Sequence, residues 1–379
     1  MKSKLSDISF FAKGKVDVSD LTDANYISTE NMLPNKCGVT TASSLPNTLQ
    51  TRAYQKNDIL VSNIRPYFKK IWFANCNGGC SNDVLVFRAN DNIDARFLYY
   101  VLANDAFFDY STATSKGTKM PRGDKTAIME YKVPDFNLST QKKISGLLSD
   151  IDDKITLNNN INKNLEEQAQ ALFDLFYDSV SGKTCVLSEI IDIRDGTHNS
   201  PKTTDNGYPL VTSKHLLPFG ADTSLANIIS KTDYDKVNER SKVNTGDILI
   251  SMIGTVGIIS YVIDSPVKFA IKNVGLFKTS QYPSLELYIL YYLKNNSTKH
   301  HIEKCLAGST QKYISLGELR KLPIVIPSQK ELGVYNSVIR PIVSKIALLV
   351  QENKRLANIR DTLLPKLMSG ELDVSDIDL

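Results

Sequence analysis

The chain has 379 residues, 42% hydrophobic and 23% charged, with a net charge of +4. That length points to two or more domains and the composition to an ordinary globular protein. No apolar run is read as long enough to span a membrane, and Ile8–Ala12 is too short for a signal-peptide core before Lys13. The expected location is therefore the cytoplasm.

Five scattered cysteines (Cys37, Cys76, Cys80, Cys185 and Cys305) fit a reducing compartment. The run CNGGC at Cys76–Cys80 has no second ligand pair at a metal spacing and reads as a glycine-rich turn. The charge is unevenly placed. Residues 1–142 hold 18 basic and 14 acidic side chains, and residues 183–326 hold 17 and 13. Residues 143–182 hold 3 and 7, and residues 327–379 hold 7 of each. Two basic blocks alternate with acidic or neutral ones, which permits polyanion binding.

The first block, 1–142, carries short β-type runs (DILVSNI, KIWFA, DVLVF) separated by turns, with a helical stretch over 95–108. It closes near Val133-Pro134 and Gln141-Lys142. The segment 143–182 differs in kind. Steps of four and three residues trace an apolar seam from Ile144 to Phe176, with Asn158 and Asn162 at its centre. The block 183–326 then repeats the first one, with LSEI for LSDI, VTSKHLLP for ISTENMLP, GDILIS for NDILVS and KNVGLFK for NDVLVFR. ILYY for FLYY, Leu322-Pro323 and Gln329-Lys330 follow in order, at offsets between 182 and 192. Its helical stretch covers 284–304, and His300-His301 at the end of it suits a contact with the helix dipole. Segment 327–370 opens on the capping box Ser328–Glu331, carries a second seam from Tyr335 to Leu367 with Leu349 and Asn353 at its centre, and is expected to have its helix kinked or delayed by Pro341. A tail, 371–379, ends the chain.

Seven ordered matches make this a duplication of whole domains. The expected fold class is α+β: two mixed α/β recognition domains separated by two long antiparallel coiled-coil helices, related by an internal pseudo-two-fold. Asn162 and Asn353 are equivalent across the repeat and are expected to pair inside the seam, flanked by Leu165 and Leu356. A helix of about 35 residues is about 50 Å long. Two such helices would space two basic domains to read grooves of duplex DNA, which recur about every 34 Å.

The run NIRDTLLPKLMSGELDVSD (Asn358–Asp376) resembles the end of the DNA specificity subunits of type I restriction-modification systems. IRDGTHNSPK, GDILISMIGTVG, GSTQKYI and the LPIVIPSQKE approach to the second helix resemble them too, in the family's order. KGTKMPRGD of the first block stands where GSTQKYI stands in the second. One departure is plain: SFFAKGK (Ser9–Lys15) occupies the place of the DGTH run. The resemblance implies a non-catalytic subunit that binds a bipartite duplex site. It would direct two adenine methyltransferase subunits, which use S-adenosylmethionine, and restriction subunits, which use ATP and Mg. The chain itself would hold no cofactor. Consistently, no Asn/Asp-Pro-Pro-Tyr/Phe motif and no Walker A loop is found.

Phosphates call for Lys and Arg on loops, and base edges for Arg, Lys, Asn, Gln, Ser or Thr. These needs select Lys116, Thr118, Lys119 and Arg122 in the first domain, with Arg65 and Lys69 beside Tyr67 and Lys70. In the second they select Thr197, His198, Lys202, Thr310, Gln311 and Lys312. The outer helix faces, with Glu166, Gln168 and Gln170 on one helix and Glu352, Lys354 and Arg355 on the other, are expected to dock methyltransferase. Apolar surface at Leu175, Phe176, Tyr177, Leu363, Leu364 and Leu367 would join them. The alternative is a structural adaptor that bridges partners through its coiled coil and binds no DNA. An autonomous nuclease or methyltransferase is a third reading and lacks its cofactor motif.

Overall fold

A computed structural model describes residues 2–374, so 375–379 of the expected tail lie outside the described residues. The chain divides into two units, Met1–Thr156 with Lys354–Leu379, and Leu157–Asn353.

The core of the first unit is an antiparallel four-stranded sheet, ordered Ser9–Phe11, Val84–Ala89, Ile59–Ser62, Ile71–Phe73. Successive side chains on a strand face opposite sides, and here both sides are covered. Ile59, Val61, Leu85 and Phe87 pack toward the helices, while Leu60, Val84 and Val86 pack on Ile27, Met32 and Tyr54. Cover on both faces explains why ILVS is a continuous apolar run with no alternation. A second sheet, ordered Lys15–Asp17, Gln50–Tyr54, Gly78–Cys80, Tyr26–Ile27, lies in the same unit.

The helical stretch expected over 95–108 is two helices, Ala95–Ala103 and Asp105–Ala113. Asn104 breaks it, adopting extended backbone and accepting from the Ala106 amide at 3.0 Å. Asn295 does the same in the second unit between Glu286–Lys294 and Asn296–Lys304, accepting from Ser297 N at 2.8 Å. A side chain that caps the next helix stops the previous one.

The sheet of the second unit repeats the order of the first: Ile193–Asp195, Val274–Phe277, Ile248–Ser251, Ile259–Tyr261. It is also buried on both faces, Ile248 and Ile250 to one core and Leu249, Val274 and Leu276 to the other. A three-stranded sheet and the helix Lys231–Ser241 complete it.

The two long helices are Leu138–Ser179 and Gln329–Ser369, the second running through Pro341. Its start carries the expected capping box, with Ser328 N donating to Glu331 Oε2 at 2.7 Å and Glu331 N to Ser328 Oγ at 3.3 Å. By length and composition alone this helix could cross a membrane, which corrects the sequence expectation. In the structure its Leu332, Tyr335, Ile339, Val343 and Ile346 are buried in the core of the second unit.

Each unit contains part of both helices, packed antiparallel. In the first, Ile144 and Leu148 share a core with Leu364 and Leu367, and Arg360 Nη1 donates to Asp152 Oδ1 at 2.7 Å. In the second, Asn353 meets Asn158 and Asn159, at 2.9 and 2.8 Å, and not Asn162 as expected. An antiparallel seam pairs the fifth step of one helix with the sixth of the other. Asn158 therefore faces Asn353, and Asn162 falls opposite Leu349. The buried Asn162 Oδ1 accordingly lacks a hydrogen-bond partner. Leu165 is half-buried against the second core, and Leu356 is half-buried.

Candidate nucleic-acid interface

The same loop is built in both units, with different side chains on it. In the first, Lys116 and Arg122 exchange two backbone hydrogen bonds of 2.9 Å, closing a loop over 116–122. In the second, Ala307 and Tyr313 exchange two bonds of the same length. A bond from Arg65 N to Pro121 O at 2.8 Å joins the first loop to the turn after the strand Ile59–Ser62. Its counterpart runs from Gly254 N to Lys312 O at 3.1 Å. Both loops start on a left-handed glycine, Gly117 at φ +96° and Gly308 at φ +91°. A side chain at Gly308 would also meet Gln311 O, so the second loop admits only glycine there.

These bonds bring together the residues selected in the first domain. Lys116, Thr118, Lys119 and Arg122 are exposed on the loop, and Arg65 lies beside it, half-buried. Arg65 and Lys69 both take left-handed backbone, at φ 51°, where the second unit has Gly254 and Gly257. Several of these cations already have carboxylate partners. Lys116 is bonded to Asp124, and Arg122 Nε reaches Asp83 Oδ1 at 3.3 Å. Lys69 and Lys36 converge on Asp105 at 3.0 and 2.9 Å. Burial acts to raise the Asp105 carboxyl, but the bonds from Lys36 and Lys69 outweigh it and hold the group below its usual range. Lys36 was missed in the sequence; only its fold-dependent bond from Lys36 N to Lys69 O, 2.9 Å, places it here. Lys70 plays a different part: it donates to Thr29 O at 2.6 Å, and burial lowers its pKa.

Thr310, Gln311 and Lys312 are exposed on the second loop. Thr197, His198 and Lys202 belong to another group, on the segment after the strand Ile193–Asp195. Thr197 pairs with Lys272 in a parallel bridge, and a Cβ on Gly196 would collide with Ile271 O, so the close approach requires glycine. His198 is held on both sides, Nδ1 2.8 Å from Asn273 Oδ1 and Nε2 3.0 Å from Asp195 Oδ2. Together with the helix Lys231–Ser241 this segment lines a recess of about 410 Å³. In the first unit Phe11 pairs with Phe87 as Ile193 pairs with Phe277, so Lys13, two residues on, stands where Asp195 does. The missing DGTH run is thus a real difference between the two units.

Of the helix-face residues, Glu166 is bonded to Lys294, and Gln170 donates to Asp174 and to Tyr291 O at 2.8 and 3.3 Å. Glu352 accepts from Asn158 at 2.9 Å. Phe176 and Tyr177 pack on Tyr335 and Tyr288, and Leu364 and Leu367 are buried in the first unit. Those residues hold each unit on its helices. Gln168, Arg355 and Leu175 stay exposed, Leu175 at 73%.

A family model described as Type I restriction modification DNA specificity domain matches residues 1–167 and again 183–358. The HindI specificity subunit of Haemophilus influenzae is 25% identical, over 97% of this chain and 98% of its own length. The MjaIX specificity subunit of Methanocaldococcus jannaschii is 26% identical, over 76% of this chain and 71% of its own. The crystal structure of the type I restriction-modification S subunit from M. genitalium shares the fold at a TM-score of 0.56, with 16% identity, covering 99% of this chain and 96% of that one.

Proposed function

This chain belongs to the type I restriction modification DNA specificity family, and we propose that each of its two units reads one half of a split duplex target. It recognises DNA within a restriction-modification complex and is not itself an enzyme. The observation that carries the two-reader proposal is the doubled loop. One backbone arrangement holds KGTKMPR in the first unit and AGSTQKY in the second. A shared frame with divergent side chains is what two different half-site sequences require.

In the first unit Lys116, Lys119, Arg122, Arg65 and Lys69 contact phosphates and Thr118 a base edge. In the second, Lys312 and Lys202 contact phosphates, while Thr197, His198, Thr310 and Gln311 reach base edges. The partners in this reading are two adenine methyltransferase subunits and the restriction subunits, acting on cytoplasmic DNA. S-adenosylmethionine, ATP and Mg belong to those partners. Exposed helix surface around Leu175, Gln168 and Arg355 is left to receive methyltransferase.

The test is duplex binding by the chain assembled with its methyltransferase partner, measured across a salt series. Phosphate contacts release counterions, so the logarithm of affinity falls with that of salt by about 0.9 per phosphate. A steep slope supports the reading. Binding without a slope, or none, leaves the structural adaptor in its place.

A further inference from the structure

We propose that Arg240 is a base-reading residue of the second unit, and that the buried carboxylate of Asp195 is the positioning residue that aims it. The proposal rests on the function proposed above and names one contact within it. Nothing in the local sequence singles out Arg240, which lies 45 positions from Asp195.

An exposed arginine samples many rotamers, and fixing it on binding costs entropy. Here both ends of the residue are already held. Arg240 Nη2 donates to Asp195 Oδ1, and Asp195 is only 4% exposed. The Arg240 carbonyl accepts from Arg194 Nη1 at 2.8 Å, and Arg194 Nε is itself anchored on Asp192 Oδ2 at 2.6 Å. Arg194 and Asp195 are neighbours on one strand, so a single strand edge fixes both ends of Arg240. The guanidinium stays 64% exposed and lines the recess between the helix Lys231–Ser241 and the segment after Asp195. The other carboxylate oxygen of Asp195 holds His198, whose side chain is 65% exposed.

A guanidinium held through Nη2 keeps its remaining N–H groups free to act as a fork. Such a fork fits a pair of acceptors, and in the major groove that pair is O6 and N7 of guanine. The recess argues against a phosphate. Lys236 and Arg240 share it with Asp195 and Asp233, so little net positive field is left for a polyanion. Short-range donors in a charge-balanced recess suit a base edge. Among the described residues the first unit has no equivalent device: the exposed Lys13 stands in place of Asp195. The contact therefore belongs to one half-site only.

The test uses the full chain with its methyltransferase partners, in cells without other adenine methylation, and maps N6-methyladenine for wild type, Arg240→Gln, Arg240→Lys and Asp195→Asn. The expected map for Arg240→Gln keeps one half of the motif and loses discrimination against other bases by about 10-fold at one guanine of the other half. Arg240→Lys gives the same loss, because an ammonium has no fork. Asp195→Asn loosens the same position, which a general structural defect would not single out. An unchanged motif overturns the proposal. So does weaker methylation at every site with the motif intact, the mark of a phosphate contact. A wild-type chain that directs no split motif overturns the reading of the whole protein, and this contact with it.

Discussion

Asp58 and Asp247 explain why the chain spells DIL twice. Each closes a turn, accepting a backbone amide three residues earlier, from Gln55 at 2.7 Å and from Asn244 at 2.8 Å. Each then pairs with a cation, Arg88 on the neighbouring strand in the first unit and Lys278 just past the end of that strand in the second. Lys278 is 4% exposed and Arg88 31%, so the two pairs differ in what their loss leaves behind. Asp247→Ala strands a buried ammonium and is expected to cost about 3–5 kcal/mol. Asp58→Ala is expected to cost less, because water reaches Arg88. Urea midpoints of the two variants check the order, and equal losses would contradict it. Glu286 offers a pH test. Burial raises its carboxyl, against the hydrogen bond from Tyr261 and the charge of Arg340. A raised folded pKa means that the folded state binds the proton more tightly than the unfolded chain. Its ionisation therefore destabilises the fold as pH rises through the carboxylate range, with no such cost below it. Glu286→Gln keeps an acceptor for Tyr261 and cannot ionise. Its stability relative to wild type is expected to improve as pH rises, read from urea midpoints over a pH series. A difference that is flat, or that grows in favour of wild type, sinks the assignment.

Elements show which errors a sequence reading makes. The apolar seams of both long helices were legible, because a period of seven survives as a pattern. The partner of Asn353 was not. Equivalence across the repeat suggested Asn162, whereas antiparallel packing joins the sixth step to the fifth and delivers Asn158. Asn162 is left with a buried oxygen that lacks a partner. Asn162→Leu is therefore expected to stabilise the protein by about 1 kcal/mol, seen as a higher midpoint in urea. Asn353→Leu is expected to destabilise it, since Asn158 would lose an acceptor. Equal effects would mean that the two positions are alike after all. The breaks at Asn104 and Asn295 were missed for a related reason: a capping asparagine inside apolar sequence reads as one polar helical residue. The doubled loop gives a third test. Gly308→Ala meets both a left-handed backbone and Gln311 O, while a Cβ at Gly117 lies 3.4 Å from Met120 O. The first substitution is expected to weaken duplex binding more than the second, and a salt series at fixed duplex would show it.

At the scale of the molecule, the duplication was the most legible feature, and it led to the fold and the family. The charge blocks pointed to DNA for the same reason, since an excess of cations needs no folding to be counted. The finer site was not legible. Lys36 reaches Asp105, and Arg240 reaches Asp195, across 69 and 45 positions. Only the folded chain brings such pairs together, and no short motif marks them. Carboxylates already bonded to Lys69, Lys116 and Arg122 also show that a basic loop in sequence is partly neutralised in the fold. We propose that one chain carries two separate readers of one split target. The measurement that tests it most directly is a genome-wide map of N6-methyladenine in cells with and without this gene. Two readers predict one split motif that is methylated with the gene and bare without it. A gene-dependent motif that is continuous, or a map that does not change on deletion while the methyltransferase partners are present, would contradict the account.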